Sequence, residues 1–257
     1  MKFIDVHCHL DGGHFVDLSA LLHNIKAAGV EKIILAAVDL PTCKFGQELS
    51  KTYDMCRFTA GFHPTELSKY REGDLEKIAE AACDENCVAI GEIGLDYHYP
   101  DTDKLLQRRI FGEQLLLADN LGLPVQIHSR DCAEDMLAML KEYSAYLKNG
   151  FLLHCFSHSA EIALEMQKMG GYFSFGGTST YSGSKKVRRV IAAISEDRIL
   201  SETDSPYLPP KSMAGQFPNT PESIPEIVRN IADIRGATVE YTADKIWENA
   251  RTLFKKL

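Results

Sequence analysis

The chain has 257 residues, of which 45% are hydrophobic and 25% charged, the mixture of a globular protein rather than a disordered or collagen-like one. With 28 basic and 36 acidic residues the formal net charge is -8, which excludes a protein that coats nucleic acid through bulk charge but allows an enzyme that holds a few phosphates at one site. No apolar stretch approaches the roughly 18 residues that a membrane-spanning helix needs, so no membrane role is expected.

Short apolar runs alternate with longer amphipathic segments from end to end. The first strand is expected at residues 3–7 (FIDVH), followed by a helical stripe of Leu18, Leu21, Leu22, Ile25 and Ala28. Strands follow at 32–38 and 57–62, then a helix marked by Leu75, Ile78, Ala79 and Ala82. The fourth strand is VAIGEI at 88–93, and a long helix runs over 105–121. Strand five is PVQIH at 124–128, with a stripe of Met136, Leu137, Leu140, Tyr143 and Leu147 behind it. Strands six to eight fall at 151–156, 171–177 and 198–204, separated by stripes through Ile162–Met169 and Val187–Ile194 and followed by helices at 223–235 and 242–254. Gly29, Gly122, Gly150 and Gly170 punctuate the helix ends. Most strands are apolar throughout, as expected when both faces are covered. Strand–helix alternation repeated eight times specifies an α/β fold with a parallel sheet. Eight repeats in one domain over 1–257 favour a closed TIM-type β/α barrel. An open doubly wound sheet is the alternative, because the pattern does not show closure. Residues 206–221, rich in Pro, Gly and Ser, form the longest irregular stretch and are expected to act as a lid or substrate wall.

Seven Cys residues are scattered, and the N-terminal MKFIDVHCHL has no signal-peptide pattern, so reduced thiols in a cytoplasmic protein are expected. Cys83 and Cys87 lie four apart in a stretch that reads as helical, but no second pair completes a zinc spacing.

The chemistry lies in where the His and acidic residues fall. His7 and His9, two apart on a strand, share a face. Glu92 lies near the end of strand four, His128 ends strand five, His154 lies near the end of strand six and Asp204 ends strand eight. His63 follows strand three. Active sites of such barrels sit at the carboxyl ends of the strands. Carboxylates there are costly to bury without a partner. Nitrogen and carboxylate donors without thiolate suit zinc, manganese, iron or magnesium. Six donors are too many for one catalytic ion with an open position, so two divalent ions bridged by a carboxylate are expected, and with them hydrolysis. Cys8, between the two His, is expected to point the other way and pack under the first helix. No GxSxG elbow, Walker loop or dinucleotide fingerprint competes.

DVHCHLD (5–11), GFHP (61–64), GEIGLDY (91–97), PVQIHSRD (124–131), LHCFS (153–157), SETDSPYL (201–208) and ENARTLF (248–254) occur in order along the whole chain. In these motifs the sequence resembles the TatD-like metal-dependent hydrolases of the amidohydrolase superfamily. The resemblance implies a distorted β/α barrel and a divalent-metal-dependent phosphodiesterase, a deoxyribonuclease acting on DNA ends. It implies one ion (Mg, Mn or Zn) held by His7, His9, Glu92 and Asp204, and a second held by Glu92, His128 and His154. Glu92 is then the bridge, and Asp204 also accepts a proton from the attacking water. His63 and Arg130 are placed to contact a substrate phosphate; for Arg130 an ion pair with Asp131 or Glu134 is the open alternative. The chain departs from the family pattern at His158, where Gly is common. It departs again at PNTPESI (218–224), which lacks the Arg and Glu of an Arg-Asn-Glu-Pro-like run. The expected partner is a weakly bound, single-stranded or 3′ DNA end, read by a monomer, with Tyr97, Tyr99 or Tyr207 available for stacking. A metal-dependent amide or carboxyl-ester hydrolase on the same barrel is the alternative, since fold does not settle substrate. A metal-free scaffold is the third reading.

Overall fold

The computed structural model describes residues 1–10 and 13–257; Asp11, the last residue of DVHCHLD, lies outside them. Eight strands pair in parallel, each with its neighbours in sequence: β1 (Phe3–Cys8), β2 (Val30–Leu35), β3 (Cys56–Ala60), β4 (Cys87–Asp96), β5 (Val125–Arg130), β6 (Phe151–Leu153), β7 (Gly171–Phe175) and β8 (Ile199–Ser201). Between and after them run α1 (Leu18–Ala27), α2 (Leu40–Thr52), α3 (Asp74–Ala82), α4 (Lys104–Leu121), α5 (Ala133–Glu142), α6 (Ala160–Lys168), α7 (Lys185–Ala193), α8 (Ile224–Arg235) and α9 (Val239–Leu253). The first and last strands meet through individual bonds. Ser201 Oγ donates to the Ile4 carbonyl at 2.8 Å, Asp204 N–H to His7 O at 3.0 Å and His9 N–H to Ser205 O at 2.6 Å. The sheet is therefore a distorted TIM-type barrel and not an open sheet. No described helix is long and apolar enough to cross a membrane.

The strands are nearly all buried, with Phe58, Phe151, Phe173 and Phe175 among the largest enclosed side chains. Each strand is covered by helices outside and by the barrel interior inside, which explains the unbroken apolar runs. β6 and β8 are three residues each, shorter than their apolar runs suggest. His154 and Asp204 thus lie just beyond strand ends. α2 has no counterpart in the helical stripes read from the sequence. Its segment LPTCKFGQELSKT carries Pro41 and Gly46, which blur a 3.6-residue period. The structure explains both. Pro41 sits in the first turn behind a capping box of Asp39 and Thr42. A Cβ on Gly46 would meet Phe58 Cβ at 2.7 Å, so only glycine lets α2 lie this close to β3. The helical reading of Cys83 and Cys87 is also corrected: α3 ends at Ala82, Cys83 is exposed, and Cys87 is buried at the start of β4. Cys8 is buried in the core with Leu21, Leu22 and Ile25, its thiol 3.6 Å from the Ile34 carbonyl.

Asp5 fastens β1 to the segment after β8. Its Oδ1 accepts the N–H groups of His7 and Thr203, each at 3.1 Å, and its Oδ2 lies 2.5 Å from Thr203 Oγ1. Burial pushes its carboxyl up to about 8, so Asp5 is a neutral acid at pH 7. Asp5→Asn keeps an oxygen acceptor for the N–H groups of His7 and Thr203 and is neutral, and it is expected to cost about 1 kcal/mol of unfolding free energy. Asp5→Ala leaves buried N–H groups unpaired and is expected to cost about 3 kcal/mol. Denaturant titrations read both. Unfolded, Asp5 ionises near 3.8; folded, near 8. Between these values the folded state holds the extra proton, so this contribution to stability falls as pH rises through the window, and Asp5→Asn removes that slope.

Candidate metal centre

Glu92 stands at the middle of the barrel mouth, 3% exposed, and its two oxygens face different imidazoles. Oε2 lies 3.4 Å from His7 Nε2 and 3.7 Å from His9 Nε2. Oε1 lies 2.8 Å from His154 Nε2, 3.0 Å from His128 Nδ1 and 3.3 Å from His63 Nε2. Asp204 completes the first side, with Oδ1 3.6 Å from His7 Nε2 and 3.4 Å from His9 Nε2. All six expected ligands thus meet at the carboxyl ends of the strands. The groups compact enough to hold an ion include His7, His9 and Asp204 on one side and His63, Glu92 and His128 on the other, with His7, His154 and Glu202 as a third. Local backbone shapes the site. Asp204 has φ +54° and Cys155 φ +44°, left-handed conformations that turn the chain just after β8 and β6. At Gly94 a Cβ would meet the His128 carbonyl oxygen at 2.0 Å, so glycine lets β4 press against β5 beside a ligand.

The outward nitrogen of each ring states what the inward one can do. Gln126 Nε2 donates to the Val6 carbonyl at 2.7 Å, leaving its Oε1 to accept from His7 Nδ1 at 2.9 Å. The Ala36 carbonyl accepts from His9 Nδ1 at 2.9 Å, and Asp96 Oδ2 accepts from His128 Nε2 at 2.9 Å. His154 Nδ1 faces Glu202 Oε2 at 3.7 Å. His7, His9 and His128 therefore each aim a lone pair inward, whereas His154 Nδ1 has no hydrogen-bond partner and its Nε2 lies against Glu92. Yet His7 Nε2 and His9 Nε2 are 3.2 Å apart, and His128 Nδ1 and His154 Nε2 are 3.3 Å apart. Opposed lone pairs at these distances repel unless a cation or proton sits with them. The donor set fits divalent ions on this ground. His63 has the opposite tautomer: its Nδ1 accepts the Thr65 N–H at 3.2 Å, so the neutral ring carries its proton on the inward Nε2.

Electrostatics agree with this division. Burial resists ionisation of Glu92, but His154, His63, His7 and His128 hold its carboxyl well below the usual range. Burial disfavours a charged His154, yet Glu92 and Glu202 outweigh it and raise the ring well above its usual value. Burial, reinforced by His154, lowers His7. Burial also resists ionisation of Asp204, which His9, His7 and His154 nonetheless keep low, so it is a carboxylate at neutral pH.

Gln126, Asp96 and Glu202, the groups behind the ligands, were not singled out from the sequence. Asp96 lies four residues after Glu92 on the same strand and Glu202 two before Asp204, and the two-residue strand period was the available signal. Asp96→Ala is expected to weaken metal binding about 10–100-fold by releasing the His128 ring, as calorimetric titration would show.

The centre opens into a cavity of about 390 Å³ whose walls include Arg130, Tyr99, Pro206 and Tyr207. Arg130 is exposed at the end of β5, and Asp131 instead takes His98 Nδ1 at 3.1 Å. Tyr99 and Tyr207 are half-exposed in the cavity wall, whereas the Tyr97 hydroxyl donates to Asp135 at 2.7 Å and its ring lies under Lys104. The 206–221 stretch is tied down by Asn219, which donates to the Tyr207 carbonyl at 2.9 Å and to the Thr203 carbonyl at 3.2 Å. His158 Nε2 lies 2.7 Å from Ser129 Oγ.

A β/α barrel with a buried carboxylate shared among imidazoles at its mouth defines a metallohydrolase class. The chain belongs to the TatD-related DNase family, whose model matches residues 4–255, and is a metal-dependent hydrolase. It is 38% identical over 252 residues to the metal-dependent hydrolase YabD of Bacillus subtilis, covering 98% of each chain. It is 31% identical over 255 residues to the 3'-5' ssDNA/RNA exonuclease TatD of Klebsiella pneumoniae, covering 97% of each. Among solved structures, the TatD homolog YjjV of Escherichia coli superposes with a TM-score of 0.93 at 34% identity, covering 98% of both chains.

Proposed function

We propose that the protein is a phosphodiesterase that removes nucleotides from single-stranded nucleic acid ends, DNA foremost, using two divalent ions. The observation that carries this is the split of Glu92, one oxygen toward His7 and His9 and the other toward His128 and His154. His7, His9, Glu92 and Asp204 would hold one ion, and Glu92, His128 and His154 the other. Bound ions would supply Lewis acidity and an acidified water at neutral pH. Asp204, already ionised, takes the proton of the attacking water. Arg130 presents a planar fork to a phosphate oxygen. His63 donates its Nε2 proton to a substrate oxygen. Tyr99 and Tyr207 offer faces for a terminal base. The exonuclease names of relatives support this substrate class. No disulfide joins the described cysteines, which supports a reducing compartment such as the cytoplasm.

The test is release of nucleotides from short single-stranded DNA and RNA with Mg, Mn or Zn against a chelator control. Stepwise, metal-dependent release is expected. No release with any metal, together with cleavage of an amide or carboxyl-ester panel, would move the assignment to the amidohydrolase alternative.

A further inference from the structure

We propose that a bound polynucleotide leaves the mouth over the loop after β7, where Lys185 and Lys186 hold its phosphates, and not over the loop after β4. The proposal rests on the nuclease reading above and adds the path of the strand. α7 begins at the end of the barrel that holds the centre. The loop before it packs on the 206–221 stretch, whose Pro206 and Tyr207 line the cavity: the Tyr181 hydroxyl donates to the Pro209 carbonyl at 3.1 Å, and Lys211 N–H donates to Thr180 Oγ1 at 2.8 Å. Lys186 lies close enough to His158 to add to the effect of burial in lowering that ring's pKa. His158 in turn touches Ser129, the neighbour of Arg130. Buried His158 thus links Arg130's neighbour to Lys186 on the rim, with Asp131 as the nearby counter-charge.

The segment KKVRR places four cations in five residues of a chain whose net charge is -8. Lys185, Lys186 and Arg189 are exposed, and Arg188 donates to Asn230 at 2.9 Å. Among the described residues no carboxylate pairs with Lys185 or Lys186. Arg189 lies in the field of exposed Glu161. Cations in a first turn oppose the helix macrodipole, and α7 has no acidic residue there. Helix stability therefore does not account for the lysines, whereas a polyanion does. The opposite flank has the other sign. A second cavity of about 540 Å³, which shares Thr65, Glu66 and Tyr99 with the mouth, is bounded by Asp101 and Asp103 and by Glu66, which pairs with Lys69. A strand of phosphates is repelled there and attracted over α7.

The experiment compares the full-length protein with Lys185→Gln/Lys186→Gln. One arm measures binding of a labelled, hydrolysis-resistant phosphorothioate oligothymidylate to the metal-loaded protein by anisotropy across a salt series. The other measures hydrolysis of a dinucleotide, which is too short to reach α7. The expected result is on the order of fivefold weaker oligonucleotide binding and a salt slope lower by about 1.4, at roughly 0.7 per lost single-strand contact. Dinucleotide hydrolysis stays within about twofold. Unchanged oligonucleotide binding and slope overturn the proposal, as does an equal loss on the dinucleotide. Lysine-dependent binding to phosphatidylglycerol vesicles with none to the oligonucleotide would overturn it in favour of a membrane surface. Absence of hydrolysis of the dinucleotide and of unmodified single-stranded DNA and RNA would refute the nuclease reading, while the anisotropy arm still decides whether α7 holds the strand.

Discussion

Glu92→Gln is expected to lower hydrolysis on the order of 10³-fold while leaving the barrel folded. The substitution keeps size and shape but removes the charge that both sides of the centre share. An amide cannot serve two cations, and its NH₂ would aim a donor at imidazoles that need an acceptor. In the wild type, burial of Glu92 is outweighed by four surrounding rings, which keep it ionised. Without it, the rings lose their common counter-charge and the His154 proton is held less tightly. The effect is the same for a phosphodiester or an amide, so the variant tests the centre and not the substrate. Turnover by purified, metal-loaded Glu92→Gln above about a tenth of wild type would show that Glu92 is not the bridging carboxylate. Circular dichroism separates loss of activity from loss of fold.

Divalent ions are expected to raise the melting temperature by about 10 °C. Saturation near a thousandfold above Kd is worth about 4 kcal/mol, and a chain of this size shifts by roughly 2–4 °C per kcal/mol. The gain has a physical source in the Nε2 atoms of His7 and His9, 3.2 Å apart, whose repulsion an ion converts to attraction. It also has a pH dependence with a definite sign. The folded, ion-free protein holds a proton on His154 above the ring's usual 6.5, despite the cost of burial, because Glu92 and Glu202 stabilise it. That contribution is complete below the unfolded value and is lost as pH rises through the raised folded value. An ion must displace the proton, so metal affinity rises with pH and binding releases protons. The gap in melting temperature between loaded and ion-free protein should therefore widen from about pH 6 to pH 8. A gap that is constant or narrows over this range would show that His154 does not carry the proton. Calorimetry in buffers of different ionisation enthalpy counts the protons directly.

Periodicity was enough for eight parallel strand–helix repeats, because strands covered on both faces must be apolar and helices between them must be amphipathic. The placement of His7, His9, Glu92, His128, His154 and Asp204 was legible for a related reason. Charged or ligating groups at the ends of apolar strands have few purposes other than a shared site. α2 escaped because Pro41 and Gly46 break the pattern, and their fit depends on Phe58, a residue of the next strand. Strand closure, too, depends on contacts such as Ser201 to Ile4, whose partners lie nearly the whole chain apart.

By itself, then, the sequence determined the eight strand–helix repeats, from local period, and the family, from its motifs, and it put His7, His9, Glu92, His128, His154 and Asp204 near strand ends. Tertiary structure alone decided which oxygen of Glu92 faces which rings and which nitrogen of each ring turns inward. It also placed Asp96 behind His128 and Gln126 behind His7. The reason is range. A period reports on neighbours a few residues away, whereas a tautomer and a shared carboxylate are set by groups that meet only when the barrel closes.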